Sequence, residues 1–353
     1  MSSFREANEF LRQYLMQGTI CEGSWETIGR AIYDYLSFLE SNDLDWRDVN
    51  RGELKSLPAA YRDYCGEVFS HKRNTIRLRL IYIFQFYEYA LRQKWISRLP
   101  YTSRERRGFH SQGFFAHLNA AGTTIEVPSV MPRYHKTVLR FLSIEESRQL
   151  LAETQNIHHY SVINFFLRSG IRRTEMASFP LSYIFDPDVS GGNSRNVRIL
   201  LDPQDGSGMQ TKGSKARTIW IPRNVMRELY SYSRHYRGER SNLTENQHLQ
   251  LFLNQDGEPF ADNGAALEEI VRSAGQRIGV HAHPHKLRHT YATHTLSLLQ
   301  RAKRKTGIEP LVFLQGQLGH ESIEQTRKYA HLVNQLADDA VLDYDSELNS
   351  VGG

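Results

Sequence analysis

Apolar side chains that recur at helical spacing are the feature that most constrains the fold of this chain. The pattern is strongest over residues 74–94, where such spacing predicts an amphipathic helix. Its apolar positions are Ile76, Leu80, Ile83, Phe84, Tyr87 and Leu91. Similar spacing predicts a helix over residues 4–17 and another from an N-cap at Ser24 to about residue 40. The first 100 residues are therefore predicted to form a helical domain.

Two features of this first segment need separate comment. Residues 54–69 show weaker helical periodicity, which is predicted to break near Pro58. Basic residues lie just before the helix predicted over residues 74–94 and in its first half. They are His71, Lys72, Arg73, Arg77 and Arg79. A basic helix can lie along a DNA backbone, but a solvated helix face gives the same pattern.

Residues 101–142 form a basic segment with little periodicity, and we interpret it as a linker. It is long for a connection without structure of its own. A short strand pair around residues 123–127 is therefore an alternative for part of it, as is a crossing over a DNA duplex. Its glycines and prolines include Gly108, Gly113, Gly122, Pro128 and Pro132.

The pattern changes at Ser143, where Ser143-Ile144-Glu145-Glu146 has the form of a capping box. Strand-like runs follow at residues 182–185, 197–201 and 218–221 among predicted helices. The helices are predicted at residues 161–170, 222–236, 262–279, 286–305, 310–318 and 322–332. This alternation predicts a mixed α/β domain over residues 143–332, and an acidic tail over residues 333–353. The fold class is thus mainly α with a small β-sheet or hairpin.

The composition limits the classes of function. The 353 residues carry a net charge of +5, which favours a polyanionic partner without proving one. Cys21 and Cys65 stand in no zinc-ligand or redox pattern, so both are predicted to be reduced. No signal peptide and no apolar run long enough to span a bilayer is evident, so we expect a cytoplasmic protein.

Cationic side chains in two motifs suit a phosphodiester substrate. Arg172 follows a glycine in Gly170-Ile171-Arg172, and His285 and Arg288 stand three residues apart, on one helix face. Guanidinium groups stabilise charge on phosphate oxygens, and a histidine can move a proton near neutral pH. For Arg172 alone a purely structural role is the simpler interpretation. The histidines that follow residue 280 could instead bind a metal, or be ordinary polar residues of a capped helix.

Lys212 lies in Thr211-Lys212-Gly213-Ser214, which we interpret as the turn of a β-hairpin. At that edge the lysine could protonate a leaving 5′ oxygen. A nucleotide-binding P-loop is excluded because Thr211 stands where that motif requires its second glycine.

Tyr329 stands nine residues after a Gly-His pair, Gly319-His320, near the end of the predicted domain. Together with the upstream motifs this region resembles the tyrosine recombinase family, also called phage-type integrases. The resemblance covers residues 143–332 and depends on four motifs that occur in the family's order. They begin at Gly170, Thr211, His285 and Leu318.

The resemblance implies a role for each motif residue. Tyr329 would be the nucleophile that forms a 3′-phosphotyrosyl bond, with Arg172 and Arg288 holding the scissile phosphate. Lys212 would be the general acid, His285 would assist proton transfer from the tyrosine, and His320 would bind the phosphate. Glu175 would support Arg172 structurally. No metal or ATP would be required.

The resemblance also implies a two-domain clamp on double-stranded DNA, with a helical core-binding domain and a mixed α/β catalytic domain. Four copies would join two recombination sites, with accessory DNA-bending or element-encoded proteins as possible partners. Extended segments in the chain favour a mobile element. A type IB topoisomerase-like activity and a DNA-binding protein without catalysis are the two alternatives. The acidic tail would dock on a neighbouring copy.

Overall fold

A computed structural model of the protein describes residues 5–16, 22–52, 55–107, 124–135, 139–189, 194–330 and 332–333. The chain divides into two compact units, Met1–Thr137 and Val138–Gly353. Each unit has its own core of buried apolar side chains. Cys21 and the acidic tail lie outside the described residues, whereas Cys65 is a buried free cysteine.

The described residues of the first unit include four helices, which confirms the helical prediction for this part of the chain. They are α1 (Arg5–Met16), α2 (Glu22–Ser41), α3 (Leu57–Glu67) and α4 (Arg73–Arg92). Aromatic rings fill much of the core between them. The hydroxyl groups of Tyr35 and Tyr87 lie 2.8 Å apart, and Tyr87 donates to the carbonyl of Trp46 at 3.0 Å. These buried polar atoms are therefore satisfied.

Two details of these helices differ from the predictions. Pro58 does not interrupt a helix, because it lies in the first turn of α3, where no intrahelical N–H is needed. Ser24 is not an N-cap, because α2 is already helical at Glu22. Helix ends are less strongly specified by sequence than helix interiors, since only a few local contacts decide them.

The basic residues of α4 make specific contacts within this unit. The Arg77 guanidinium donates to the carbonyl of Pro132. Arg79 forms an ion pair with Asp34 at 2.9 Å and also reaches the Tyr61 hydroxyl. These two arginines therefore support the fold, whereas Lys72 and Arg73 at the start of the helix are exposed.

The strand pair suggested for the basic segment is confirmed. Strands β1 (Ser103–Arg107) and β2 (Thr124–Pro128) pair in antiparallel fashion, with Ser103 opposite Pro128 and Arg107 opposite Thr124. The intervening residues 108–123 lie outside the described part of the chain.

The second unit is mainly helical with one strand pair. Its helices are α5 (Ile144–Ala152), α6 (Ile157–Ser169), α7 (Arg173–Ala177), α8 (Arg223–His235), α9 (Gly238–Ser241), α10 (Ala265–Arg277), α11 (Pro284–Thr306) and α12 (Pro310–Leu318). Residues 323–330 are also helical and are called the tyrosine helix below. The capping box at Ser143 is confirmed, with its hydroxyl accepting from the N–H of Glu146 at 3.0 Å.

Helix α6 is the centre of this unit. It packs against α5, α8, α10 and α11, and its central apolar residues Val162, Ile163, Phe165 and Phe166 are buried. Helix α12 packs against α11 and strand β4. A second apolar cluster forms there from Ala292, Leu296, Leu314, Leu318, Tyr329 and Leu332. Among the described residues, every helix is too short or too polar to cross a bilayer.

Two strand predictions for this unit need correction. Residues 182–185 are not a strand, because Leu181–Tyr183 form a 3-10 turn, and the Tyr183 hydroxyl donates to Asp205 at 2.6 Å. Strands β3 (Asn196–Leu201) and β4 (Arg217–Pro222) do pair, with Leu201 opposite Arg217. Gly213-Ser214 is not their two-residue turn, however. It lies in a 3-10 turn within the longer connection of residues 202–216.

Gly170 ends α6 in a left-handed conformation, with φ of 63°. A Cβ atom there would lie 2.4 Å from Cδ1 of Tyr291, which is closer than any real contact. Gly279 has a similar φ of 70°, but a Cβ atom at that position would meet nothing within 4 Å.

We expect Gly170→Ala to lower the free energy of unfolding well beyond the ~1–2 kcal/mol that a left-handed alanine costs by itself. Gly279→Ala, the matched control, should show only that conformational cost. Urea denaturation of both variants measures the difference. Equal losses in the two proteins would contradict the clash with Tyr291.

Candidate active site

Arg172 lies in the break between α6 and α7, and its side chain is held in place from two directions. One guanidinium N–H donates to the carboxylate of Glu175 at 2.8 Å, and another donates to the carbonyl of Gly319 at 2.5 Å. The left-handed turn at Gly170 makes this possible, because it ends α6 and turns the chain at this point. The prediction of a helix start after a glycine break is confirmed.

Glu175 is a fully buried carboxylate that binds two arginines. It accepts hydrogen bonds from Arg172 and from Arg217 of β4, the latter at 2.6 Å, and its Oε2 also accepts from the Arg172 backbone N–H. Burial alone would raise the pKa of Glu175, but Arg217 and Arg172 outweigh it and lower the pKa to about 2. The carboxylate therefore stays charged and holds the two guanidinium groups close together.

Arg288 is buried in α11 and donates to carbonyl groups of two other segments. Its partners are the Gly170 carbonyl at the end of α6 and the Leu318 carbonyl at the end of α12. Arg172 binds the next carbonyl along, that of Gly319. The two predicted phosphate-binding arginines thus converge on consecutive peptide groups. Burial, together with the charge of Arg172, lowers the pKa of Arg288 to about 9.

Tyr329 is fully buried at the end of the tyrosine helix. Its hydroxyl lies 2.8 Å from Nδ1 of His289, and Lys328 Nζ stands 5.2 Å from the ring centroid. Burial raises the pKa of Tyr329 to about 12, although Arg288 and Arg172 act in the opposite direction. The hydroxyl is therefore neutral in this structure and is not exposed to solvent.

His285 lies on the first turn of α11 and is exposed to solvent. Its ring packs edge to face against that of His289, with 4.1 Å between the centroids. The protein around the ring lowers the pKa of His285 to about 4, and Arg288 and Lys328 add to this effect. Among the described residues, no hydrogen bond connects His285 to Tyr329.

His320 follows Gly319 and lies parallel to the nucleophile candidate. Its ring and that of Tyr329 are 6° from parallel at 6.1 Å between centroids. Nδ1 of His320 is 2.9 Å from the Thr326 hydroxyl, which fixes the ring. Burial and the charge of Arg288 lower the pKa of His320 to about 3, so the ring is neutral.

Lys212 is the one predicted site residue that the described contacts do not bring into this cluster. It is exposed in the turn Lys212–Ser214, and no hydrogen bond or ion pair joins it to the other described residues of the site. Three residues later, Lys215 Nζ lies 3.6 Å from the Glu321 carboxylate. The connection that carries Lys212 therefore passes beside the segment that carries His320.

The cluster has a strong excess of positive charge. Its cations are Arg172, Arg217, Arg288 and Lys328, and its one anion is Glu175. With the three histidines neutral, three positive charges are left unbalanced around Tyr329. Such a site suits an anionic group, and a phosphodiester gains most there as negative charge develops on its oxygens.

The histidines that suggested a metal site have separate partners. The His283 side chain caps α11 by accepting from the Lys286 N–H at 3.2 Å, and His294 Nε2 donates to the Leu142 carbonyl at 2.8 Å. His289 binds Tyr329. Within the described ranges, no group of three His, Cys, Asp or Glu side chains is arranged to hold a metal ion.

Comparison with known proteins places this arrangement in a family. The model of the phage integrase family matches residues 138–335, more than half of the chain. The chain belongs to the phage integrase family. The matched residues include every side chain of the site described above.

Two curated relatives illustrate how far the similarity to this integrase-family protein extends. Tyrosine recombinase XerC of Actinobacillus pleuropneumoniae is 26% identical over 312 residues, which cover 86% of this chain and 80% of that protein. XerC of Vibrio cholerae is 25% identical over 205 residues, which cover 57% of each chain. The match therefore spans little more than half the length of the Vibrio relative.

Solved structures share the fold of this integrase-family protein. XerH recombinase bound to palindromic difH substrate aligns with a TM-score of 0.59 and 15% identity, covering 91% of this chain and 80% of that one. The Tn1549 transposon integrase in complex with transposon right-end DNA aligns with a TM-score of 0.58 and 17% identity, covering 91% and 92%. At these identities the likeness concerns the fold alone.

Sequence reasoning missed three structural contributors to this integrase-family site. His289 was considered only as part of a histidine-rich tract, although it stands four residues after His285 on the same helix face. Arg217 binds both Glu175 and the carbonyl of Gln317. The buried Gln317 amide then bonds to both backbone groups of Trp220 in β4 and to the Ser169 carbonyl.

The position of Gly319 explains why the motif that begins at Leu318 contains a glycine. Its φ is 60°, and a Cβ atom would lie 2.4 Å from Cδ of Arg217. The side chain of Arg217 therefore occupies the space beside this glycine, and any larger residue would displace the arginine from Glu175.

We expect Glu175→Gln to lower the free energy of unfolding by about 3–5 kcal/mol, because it removes the buried counter-charge of Arg172 and Arg217, whose side chains are themselves only 21% and 9% exposed. The pKa of Glu175 is lower in the folded protein than in the unfolded chain. Its contribution is thus fully present above pH 4.5 and is lost as pH falls toward 2. Urea denaturation at neutral pH and again at about pH 3 should show the two proteins converging in acid.

Glu269→Gln is the matched control for this prediction. Glu269 also pairs with an arginine, Arg272, but both side chains are more than half exposed. We expect only a small change in stability for this variant. A difference between wild type and Glu175→Gln that stays constant with pH would contradict the charge-based account.

Proposed function

We propose that this protein is a site-specific DNA recombinase that cleaves and rejoins strands through a 3′-phosphotyrosyl intermediate. The observation that carries this proposal is the position of Tyr329, whose hydroxyl lies in a site with surplus positive charge, under the influence of the buried Arg288 and the partly buried Arg172. The cations of such a site attract a phosphodiester and stabilise the transition state of its cleavage, so the phenol would have a phosphodiester to attack.

Each step of the proposed reaction conserves atoms and charge. The Tyr329 oxygen attacks phosphorus and gives its proton to a histidine of the site, the bond to the 5′ oxygen breaks, and that oxygen takes a proton from Lys212. Rejoining is the reverse, with a 5′ hydroxyl attacking the phosphotyrosine. One ester is exchanged for another, so the reaction needs no energy from ATP.

The roles of the remaining residues follow from their positions. Arg172 and Arg288 would each give N–H groups to the phosphate. His320 has Nδ1 engaged by Thr326, and among the described residues its Nε2 has no hydrogen-bond partner. That nitrogen would donate to a phosphate oxygen. Lys212 is exposed. This fits a general acid that reaches its leaving group only in the DNA complex.

The buried state of Tyr329 adds a requirement to this reaction. The side chain is 0% exposed, so its hydroxyl cannot meet a phosphate without a local movement. We infer that DNA binding moves the residues that cover the hydroxyl, so that a phosphate can reach it. The free protein would then be chemically silent until DNA arrives.

The partners that we propose are double-stranded DNA with a specific recombination site and three further copies of this chain. The XerH and Tn1549 integrase structures both contain DNA, and their fold is shared by this chain. A net charge of +5 fits the same partner. We further propose a cytoplasmic, nucleoid-associated protein of a mobile element, acting in integration, excision or transposition, with accessory DNA-bending proteins where the element supplies them.

The central test uses covalent capture. Wild-type protein incubated with a library of random duplexes should retain some of them covalently, and sequencing those would give the site. On a nicked suicide substrate with this site, Tyr329→Phe should form no adduct, while Tyr236→Phe, an exposed tyrosine of the same unit, should react like wild type. Adduct formation by Tyr329→Phe would exclude this nucleophile.

Plasmid assays separate recombination from simple relaxation. The proposal predicts exchange between two copies of the captured site and no relaxation of plasmids that lack it. Efficient relaxation of any supercoiled plasmid, without exchange, would instead identify a topoisomerase.

Salt dependence tests the DNA-binding part of the proposal. Cations that neutralise phosphates release counterions, so binding should weaken linearly in a plot of log affinity against log salt concentration. Lys72→Ala, at the exposed start of α4, should make this slope less steep by about one unit if that helix contacts a phosphate. A flat response for the wild-type protein would argue against DNA as the partner.

A further inference from the structure

The hydroxyl of the proposed nucleophile has one described hydrogen-bond partner, and that partner is His289. The distance between the Tyr329 oxygen and Nδ1 of His289 is 2.8 Å. The family resemblance implies that His285 assists proton transfer from Tyr329. Among the described residues, however, His285 makes no hydrogen bond to Tyr329. The geometry therefore favours a different histidine for proton transfer.

Burial shields the hydrogen bond between Tyr329 and His289 from solvent. Tyr329 is 0% exposed and His289 is 4% exposed, so bulk water does not compete for either atom. The pKa of His289 is lowered by burial and by His285, Lys328 and Arg288 to about 3, while burial raises the pKa of Tyr329 to about 12. In the free protein the neutral phenol is thus the donor and the neutral imidazole the acceptor.

We propose that His289 is a catalytic residue that accepts the proton of the Tyr329 hydroxyl as this oxygen attacks phosphorus. This inference rests on the proposed function. The O–H bond of Tyr329 breaks as the phosphorus–oxygen bond forms, and His289 becomes an imidazolium. In the rejoining step the tyrosine leaves phosphorus and takes the same proton back.

The charges that face His289 explain how the acceptor would be switched on. Four groups face His289. His283 is the N-cap of α11, and His285 and Arg288 lie on α11 itself. Lys328 comes from the tyrosine helix. All four disfavour a positive charge on the His289 ring. A bound phosphodiester brings a negative charge into this cluster, which raises the pKa of His289 and makes the imidazole a stronger base. The acceptor would become competent only when the substrate is in place.

His289 could also act only by positioning Tyr329, without accepting its proton. Two substitutions of His289 distinguish this structural role from the proposed catalytic role. Asparagine can offer an oxygen near the position of Nδ1 and hold the phenol by a hydrogen bond, but it cannot take a proton. If His289 only positions the tyrosine, His289→Asn should act nearly like wild type while His289→Ala fails. If His289 takes the proton, both variants should fail.

The experiment measures single-turnover adduct formation on two suicide substrates that carry the captured site. One has the ordinary 5′ oxygen at the scissile position, and the other has sulfur there. A thiolate leaves without a proton, so the sulfur substrate removes the need for a general acid and isolates activation of the tyrosine. His294→Asn is the matched control, because His294 lies on the same helix, and among the described residues it contacts the Leu142 carbonyl and the Phe141 ring but not Tyr329.

We expect both His289 variants to slow adduct formation by about 10²-fold or more on either substrate. Lys212→Ala should be slow on the oxygen substrate and recover on the sulfur substrate. The wild-type rate on sulfur should level off with rising pH once His289 is deprotonated in the complex, whereas the variant rates should continue to rise in proportion to hydroxide. His294→Asn should keep the wild-type pH profile.

Three results would overturn the inference. They are a wild-type rate for His289→Asn, sulfur rescue of His289→Ala, or a wild-type rate that rises with hydroxide over the whole pH range below the phenol pKa. The last needs no variant, so it decides the matter even if the substitutions unfold the protein. Absence of any adduct with wild type would count against the recombinase function itself, whereas adduct with unaffected His289 variants would count against His289 alone.

Discussion

The buried carboxylate of Glu175 is the interaction on which the rest of the catalytic unit depends. It binds Arg172 at the break after α6 and Arg217 on strand β4, and thereby joins two parts of the chain more than 40 residues apart. Without it, the guanidinium groups would repel one another inside the protein, where like charges interact strongly. A single negative charge thus allows a site with net positive charge to exist in a folded interior, and the surplus remains available to a phosphate.

The same surplus charge sets the protonation states around the tyrosine. Neutral imidazoles at His289 and His320 follow from burial and from neighbouring cations, that at His285 from the protein around the ring and from the same cations, and the neutral phenol from burial. When an anion enters, the cations are partly neutralised and the pKa values of the three imidazoles rise, so each ring becomes a stronger base. Substrate binding and activation are therefore coupled through electrostatics, without a separate regulatory site.

Local patterns predicted much of this fold, and distant contacts account for what they missed. Helix α4 follows from its apolar spacing, the start of α5 from its capping box, and the turn after α6 from Gly170, since each depends on nearby residues. Residues 182–185 look like a strand, but a hydrogen bond from Tyr183 to Asp205 accompanies a turn there. The motif order indicated the arginines and Tyr329. The partnership of His289 with Tyr329 spans 40 residues, and the contact of Arg172 with Gly319 spans 147, so no local pattern could reveal either.

The hydrogen bonds of Arg288 have a consequence for how such a protein can change during evolution. This side chain donates to the ends of both α6 and α12, so the group that would grip the substrate also joins three segments of the fold. Mutations that remove it damage folding together with chemistry, and selection on either property preserves both. Tyr329 differs, because loss of its single oxygen removes one hydrogen bond and leaves the apolar packing of its ring intact. A descendant that keeps DNA binding but abandons cleavage is therefore most accessible through the tyrosine and least accessible through the buried arginine.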